Sequence, residues 1–187
     1  MNKYIVTGAA GFIASVVSAK LLESGHEVVG IDNLNDAYDM SIKNWRLEKL
    51  LDHPKFKFLH NDIAIPDSDW TDYFRNAVSV IHLAGRAGVR QSVADPHAYI
   101  ESNVTGTLNV LDAVKDHHIQ NIVIASTSSV YGSGTIQPYT EDSESSKVLS
   151  PYAASKKSAE TLAYAYHHLY DLNIQVMRFF TVYGPAG

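Results

Sequence analysis

Short β-branched and apolar runs alternate along this chain with stretches whose apolar positions recur every three or four residues. Residues 4–7, 27–31, 55–59, 78–83, 121–125 and 174–179 read as strands. Residues 12–24 set Ile13, Val16, Val17 and Leu21 at helical spacing, with Gly25 as a stop. Residues 41–51, 99–115 and 152–170 read as further helices. Mostly apolar strands, each next to a helix, describe a parallel sheet covered on both faces. Right-handed crossovers then give a doubly wound α/β architecture with strand order 3-2-1-4-5-6. The polar stretch 132–150 is too long for a tight connection and is expected to run over the rim of a site.

Composition narrows the function classes. The 187 residues, 45% hydrophobic with net charge −5, suit one folded domain and exclude disorder. The mildly acidic balance lacks a basic cluster and gives no footprint for nucleic acid. Zero Cys excludes disulfides, thiolate metal sites and cysteine nucleophiles, and suits a cytoplasmic setting. No apolar run approaches ~20 residues, so no membrane span is expected. The nine His suggest no metal site, because His117-His118 and His167-His168 are adjacent rather than one helical turn apart. Tyr164, Tyr166 and Tyr170 read as packing or interface residues.

Thr7-Gly8-Ala9-Ala10-Gly11-Phe12-Ile13-Ala14 ends the first strand and opens the first helix. Gly8 allows a tight turn, Gly11 lets a pyrophosphate approach the backbone, and the helix N-terminus offers free N–H groups. Asp32 closes the second strand about 20 residues later, where a carboxylate accepts from a ribose with a free 2′-hydroxyl. This is a Rossmann dinucleotide turn, and the like charge of a 2′-phosphate makes NAD the expected cofactor rather than NADP. The third small position is Ala14, whose methyl must fit where helix meets strand. Asp62, ending the third strand, faces the adenine side or serves as a turn or cap carboxylate.

Tyr152 and Lys156, four apart on a helix, share a face. A phenol becomes a useful base when its pKa falls from about 10 toward 7, roughly 4 kcal/mol of stabilisation that a neighbouring ammonium helps supply. At the end of the fifth strand, Ser126-Thr127-Ser128-Ser129 brings four hydroxyls to the edge where such sheets bind ligands. Thr127 is the hydroxyl expected to share a proton with Tyr152; Ser126 is as well explained as a cap. Arg86 and Arg90 are loop cations, and Arg90 meets a substrate anion or solvent.

These motifs, with Val130-Tyr131-Gly132 and the run Arg178 to Pro185, resemble the extended short-chain dehydrogenase/reductases of the nucleotide-sugar epimerase/dehydratase family. The likeness spans the whole chain. Gly30 to Asp36 and Ala87 to Ser92 are similar to the UDP-glucuronate 4-epimerase branch. The resemblance implies that Tyr152 takes the sugar 4-hydroxyl proton, with Lys156 lowering its pKa and Thr127 in the Ser/Thr position. Hydride passes from C4 to NAD⁺ and returns to the opposite face of a transient 4-keto sugar. Gly8, Gly11, Phe12, Ile13, Asp32, Asn33, Asp62, Ile63, Leu83, Ala84, Gly85, Asn103, Tyr152 and Lys156 are implied around the cofactor. Thr127, Ser128, Ser129 and Thr181 are implied at the sugar carboxylate, with Arg90 a further candidate for the substrate.

Family dehydratases place Asp-Glu directly after the Thr, and decarboxylases carry Glu where Ser129 stands. Ser128 and Ser129 therefore favour 4-epimerisation of a UDP-sugar, UDP-glucuronate first and UDP-glucose as the alternative. Residues 1–187 are expected to form the NAD-binding domain, ending before the smaller substrate domain of the family. Weak turnover, or cofactor binding without turnover, is the corresponding expectation for this chain alone. Members often form homodimers through two helices per subunit, here 99–115 and 152–170.

Overall fold

The computed structural model describes residues 1–66, 69–133, 137–185 and 187. Six parallel strands, β1 (Lys3–Thr7), β2 (Glu27–Asp32), β3 (Phe56–His60), β4 (Ser79–His82), β5 (Asn121–Thr127) and β6 (Asn173–Phe179), form one sheet. Their order is β3-β2-β1-β4-β5-β6, as the strand and helix pattern predicts. The reversal between β1 and its neighbours β2 and β4 opens a crevice at their carboxyl ends, where ligands bind in such sheets.

The helices are α1 (Phe12–Glu23), α2 (Met40–Leu51), α3 (Val89–Ala94), α4 (Pro96–Ile100), α5 (Gly106–Asp116) and α6 (Pro151–Tyr170). Alternate strand residues feed two cores. Ile5, Val29, Ile31, Val80, Ile122 and Ile124 pack with Trp70, Phe74, Val110, Leu111 and Val114, while Val6 and Val28 pack with Ala14, Leu22 and Leu50. Among the described residues, no helix is long and apolar enough to cross a membrane.

Three expectations need correction. First, α1 buries Ala14, Ser15, Ser18 and Leu22, whereas Val16 is 47% exposed. A helix that starts hard against the turn after β1 comes close to the sheet, so its small face turns inward. The methyl of Ala14 fits that contact at 2% exposure.

Second, the helix expected over 99–115 is interrupted. It starts at Pro96, capped by Asp95, and passes through a π-helical turn, Glu101–Thr105, before α5. π-turns insert a residue and redirect a side chain, commonly at a site. Here the turn carries Asn103, fully buried.

Third, β5 continues through Ser126 and Thr127, which pair with Arg178 and Phe179 of β6. Strand alternation therefore sends these two hydroxyls to opposite faces.

Candidate active site

The turn after β1 is a cradle that admits no side chain at Gly8 or Gly11. Gly8 has φ +74°, and a Cβ there would lie 2.8 Å from the Ala84 backbone nitrogen. A Cβ on Gly11 would lie 2.9 Å from the Gly8 carbonyl. Both backbone N–H groups of Gly8 and Ala9 donate to the Ile31 carbonyl, locking the turn to β2. Gly11 caps α1 without a side-chain hydrogen bond, leaving the first-turn donors for an anion. Phe12 and Ile13 follow, both half-buried.

Asp32 braces the same turn from the end of β2. One carboxylate oxygen accepts from Ala10 N at 3.1 Å and the other from Leu34 N at 2.8 Å. Each oxygen keeps a lone pair for a sugar hydroxyl. Beside it, Asn33 donates to Asp62 at 2.8 Å, and the other Asp62 oxygen accepts from Ala64 N. Asp62 thus closes a turn and holds Asn33, the turn-carboxylate role expected of it. Gly8, Gly11, Asp32, Asn33, Asp62, Ile63, Leu83, Ala84 and Gly85 line one cavity of about 170 Å³.

Lys43 is a site residue that pattern reading missed, and Arg46 is a second basic residue buried beside it. Lys43 lines the same cavity at 4% exposure; Arg46 is 6% exposed. Lys43 donates to the carbonyl and side-chain oxygens of Asn35, and burial lowers its pKa. Arg46 donates to the Tyr38 hydroxyl at 2.9 Å and lies 5.7 Å from the Phe12 ring centroid. Their signal was present: 43, 46, 47 and 50 form one helical face, and cations on an inward face need a reason.

At the other end of the crevice, α6 supplies Tyr152 and Lys156. Ser150 caps the helix through Ala153 N, and Pro151 occupies its first turn. Lys156 is 7% exposed and donates to the Ala125 carbonyl at 3.1 Å. Burial pulls its ammonium down to about 8, so the positive charge sits where an adjacent anion is welcome. Tyr152 is half-buried, its ring meeting Tyr99 edge-on at 6.0 Å. Tyr99 is anchored in turn, its hydroxyl donating to the Ala87 carbonyl at 2.7 Å.

Asn103 joins the parts. Its Nδ2 donates to Ser155 Oγ (2.9 Å) and the Arg86 carbonyl (3.0 Å), and its Oδ1 accepts from Arg86 N (2.8 Å). Ser155 donates to the Tyr152 carbonyl. A Cβ on Gly85 would come within 2.7 Å of Asn103 Oδ1 and 2.8 Å of Lys156 Nζ, so only glycine lets this loop pass. The amide of Asn103 is engaged within the protein and clamps the loop after β4 to α6.

Thr127, 6% exposed, ends β5 and caps the 3₁₀ turn Ser128–Tyr131 by accepting from Ser129 N. Ser128 and Ser129 are half-buried in that turn. Ser126 is a correction: its hydroxyl donates to Glu160 at 2.6 Å, on the face away from Thr127. Glu160 is bound by Nε and Nη2 of Arg178, each at 2.9 Å. Although burial pushes its pKa up, these bonds hold it below the ordinary value. The run of four hydroxyls is therefore split, with Ser126 turned away from Thr127. Arg90 and Thr181 are exposed, on α3 and beyond β6 respectively. A larger groove of about 1090 Å³ runs along β6 and α6, away from Tyr152 and the turn.

A glycine cradle at a helix start and a carboxylate at the next strand end, with a Tyr–Lys pair on α6, define a dinucleotide-binding fold. The cradle that a Cβ would fill, together with the donor-rich helix start and Asp32, fits NAD. The sequence matches the NAD dependent epimerase/dehydratase family over residues 4–187, and the chain belongs to that family. It is 52% identical, over its full length, to a UDP-glucuronate 4-epimerase of Thermodesulfobacterium geofontis. The structure superposes with a TM-score of 0.88 on UDP-glucuronic acid 4-epimerase from Bacillus cereus in complex with UDP-glucuronic acid and NAD. Identity there is 37%, over 98% of this chain and 58% of that one. A dTDP-glucose 4,6-dehydratase from Streptomyces venezuelae with NAD bound follows at 32% identity and TM-score 0.87, covering 98% of this chain and 57% of that one. The chain spans 58% of the length of the Thermodesulfobacterium relative.

Proposed function

We propose that this chain is the NAD-binding, proton-transferring part of a UDP-sugar 4-epimerase whose substrate is UDP-glucuronate. The observation that carries the reading is Lys156, buried one helical turn from Tyr152 and donating to the Ala125 carbonyl two residues before Thr127, with Ser128 and Ser129 where a dehydratase needs carboxylates. Bound NAD⁺ supplies a reversible hydride acceptor for the sugar C4. Tyr152 takes the 4-hydroxyl proton, with Thr127 sharing the hydrogen bond, and returns it after the ketone has presented its other face. Lys156, buried and reluctant to hold a charge alone, favours the Tyr152 phenolate. Gly8, Gly11, Phe12, Ile13 and Lys43 hold the diphosphate and ribose region, with Asp32, Asn33, Asp62 and Ile63 toward the adenosine. Leu83, Ala84, Gly85 and Asn103 shape the reaction end.

The hydroxyls of Ser128, Ser129 and Thr127 suit a carboxylate on the sugar, with Arg90 and Thr181 as further contacts. The same reading includes a cytoplasmic setting and a homodimer through residues 96–116 and α6, where Ile100, Tyr164 and Leu169 are exposed. The experiment is incubation with NAD⁺ and either UDP-glucuronate or UDP-glucose, followed by proton NMR of the sugar. Slow formation of UDP-galacturonate from the acid, with the neutral sugar slower still, is expected. A preference for UDP-glucose refutes the substrate. A 4-keto-6-deoxy product refutes epimerisation. A thermal melt raised by NAD⁺ and unmoved by NADP⁺ checks the cofactor separately.

A further inference from the structure

We propose that His82 is a positioning residue: it wires the phosphate-binding turn to the Asn103 clamp and thereby sets the reaction end of the site. The proposal rests on the NAD reading above only for its ligand arm. His82 ends β4 at 2% exposure and takes no part in the chemistry. Its Nδ1 lies 2.7 Å from Thr7 Oγ1, at the head of the turn, and its Nε2 lies 2.9 Å from Thr107 Oγ1, at the start of α5.

The proton positions follow from the partners. Thr107 Oγ1 lies 2.6 Å from the Asn103 carbonyl, which can only accept, so the Thr107 proton is spent there. The Thr107 oxygen must then accept from His82, which places the imidazole proton on Nε2. Nδ1 is left as an acceptor, and Thr7 donates to it while its own oxygen accepts from Ala84 N at 3.1 Å. Every bond runs one way: Ala84 N–H to Thr7, Thr7 to His82, His82 to Thr107, Thr107 to the carbonyl of Asn103. Burial, with the Lys156 charge adding to it, pulls the imidazole down to about 3, so the ring stays neutral and the direction is fixed.

The wiring ends on a residue whose side chain already holds the 85–86 loop and Ser155. An apolar residue of similar size at position 82 would fill the core but leave the π-turn free to shift against β1. The Asp32 end has its own bonds and does not depend on this path.

The first experiment is nitrogen-15 NMR of the imidazoles of the whole 187-residue chain without ligand. One histidine with Nε2 protonated and Nδ1 bare, unchanged from pH 5 to 8, is expected; an Nδ1-protonated or titrating His82 overturns the wiring. The second measures NAD⁺ and ADP affinity in Thr107→Val and Thr107→Ser. Valine should weaken NAD⁺ about tenfold and ADP less than twofold, and serine, which keeps the hydroxyl, should restore NAD⁺. Equal weakening of both ligands means that Thr107 merely supports the fold and overturns the proposal, as does no weakening. The imidazole spectrum is read without ligand, so a wild-type chain that fails to bind NAD⁺ refutes the functional reading while the spectrum still decides the wiring.

Discussion

Replacing Lys156 with methionine should make the fold more stable while making the site inert. The ammonium is 7% exposed and, among the described residues, donates to the Ala125 carbonyl alone, at 3.1 Å. Burial lowers its pKa from 10.5 to about 8, which corresponds to about 3 kcal/mol spent on keeping it charged at neutral pH. Methionine keeps the length of the stem and discards the charge. Losing the hydrogen bond returns about 1 kcal/mol, so a net gain of about 2 kcal/mol is expected at pH 7.

The pH dependence has a definite sign. Below pH 8 the lysine is charged in the folded and unfolded chain alike, and the whole penalty is present. Between pH 8 and 10.5 the folded chain gives up the proton while the unfolded chain keeps it, so wild-type stability rises with pH. Above that window both are neutral. Lys43 and Lys3 shift in the same direction, so the difference between wild type and variant, and not wild type alone, isolates Lys156. Urea unfolding of both proteins at steps from pH 7 to 10.5 is the assay. The stabilisation by methionine should shrink across the upper part of that range. A variant less stable than wild type at pH 7, or a difference flat with pH, refutes the reasoning that Lys156 is held charged against its surroundings.

Tyr152→Phe should lower epimerisation by about 10²–10⁴-fold, measured as product formation, while NAD⁺ affinity stays within twofold. Gly8→Ala forces a side chain into φ +74° and against the Ala84 backbone, so unfolding should show a loss of about 2 kcal/mol or more, with NAD⁺ binding lost alongside. Ser126→Ala and Thr127→Ala should separate structure from chemistry. The first loses the bond to Glu160 and about 1–2 kcal/mol of stability with turnover kept; the second loses turnover by at least about 10²-fold. Equal effects of the two on turnover would contradict the opposite faces that β5 gives them.

Much of this protein is set by local pattern. Strand order follows from β-branched runs separated by helices, because crossover handedness leaves few topologies. The phosphate turn was legible because Gly8 answers a backbone demand that no other residue meets. Tyr152 and Lys156 were legible because a helix repeats every 3.6 residues and brings positions four apart together. What pattern could not give were quantities that depend on distant partners. Which face of α1 turns inward depends on how close the helix lies to the sheet, and the small face won over Val16. The π-turn at Asn103 is held because its side chain finds Arg86 and Ser155 from two other segments, while its carbonyl takes the Thr107 hydroxyl four residues on. Ser126 turned away because Glu160 and Arg178 wait on that side of the sheet. The depressed lysine and the neutral His82 were equally invisible, since burial and the direction of a hydrogen bond are properties of assembled neighbours. Sequence determined which groups are present and how they repeat along the chain; only the packing of separate segments decided which of them are dry, charged or free to act.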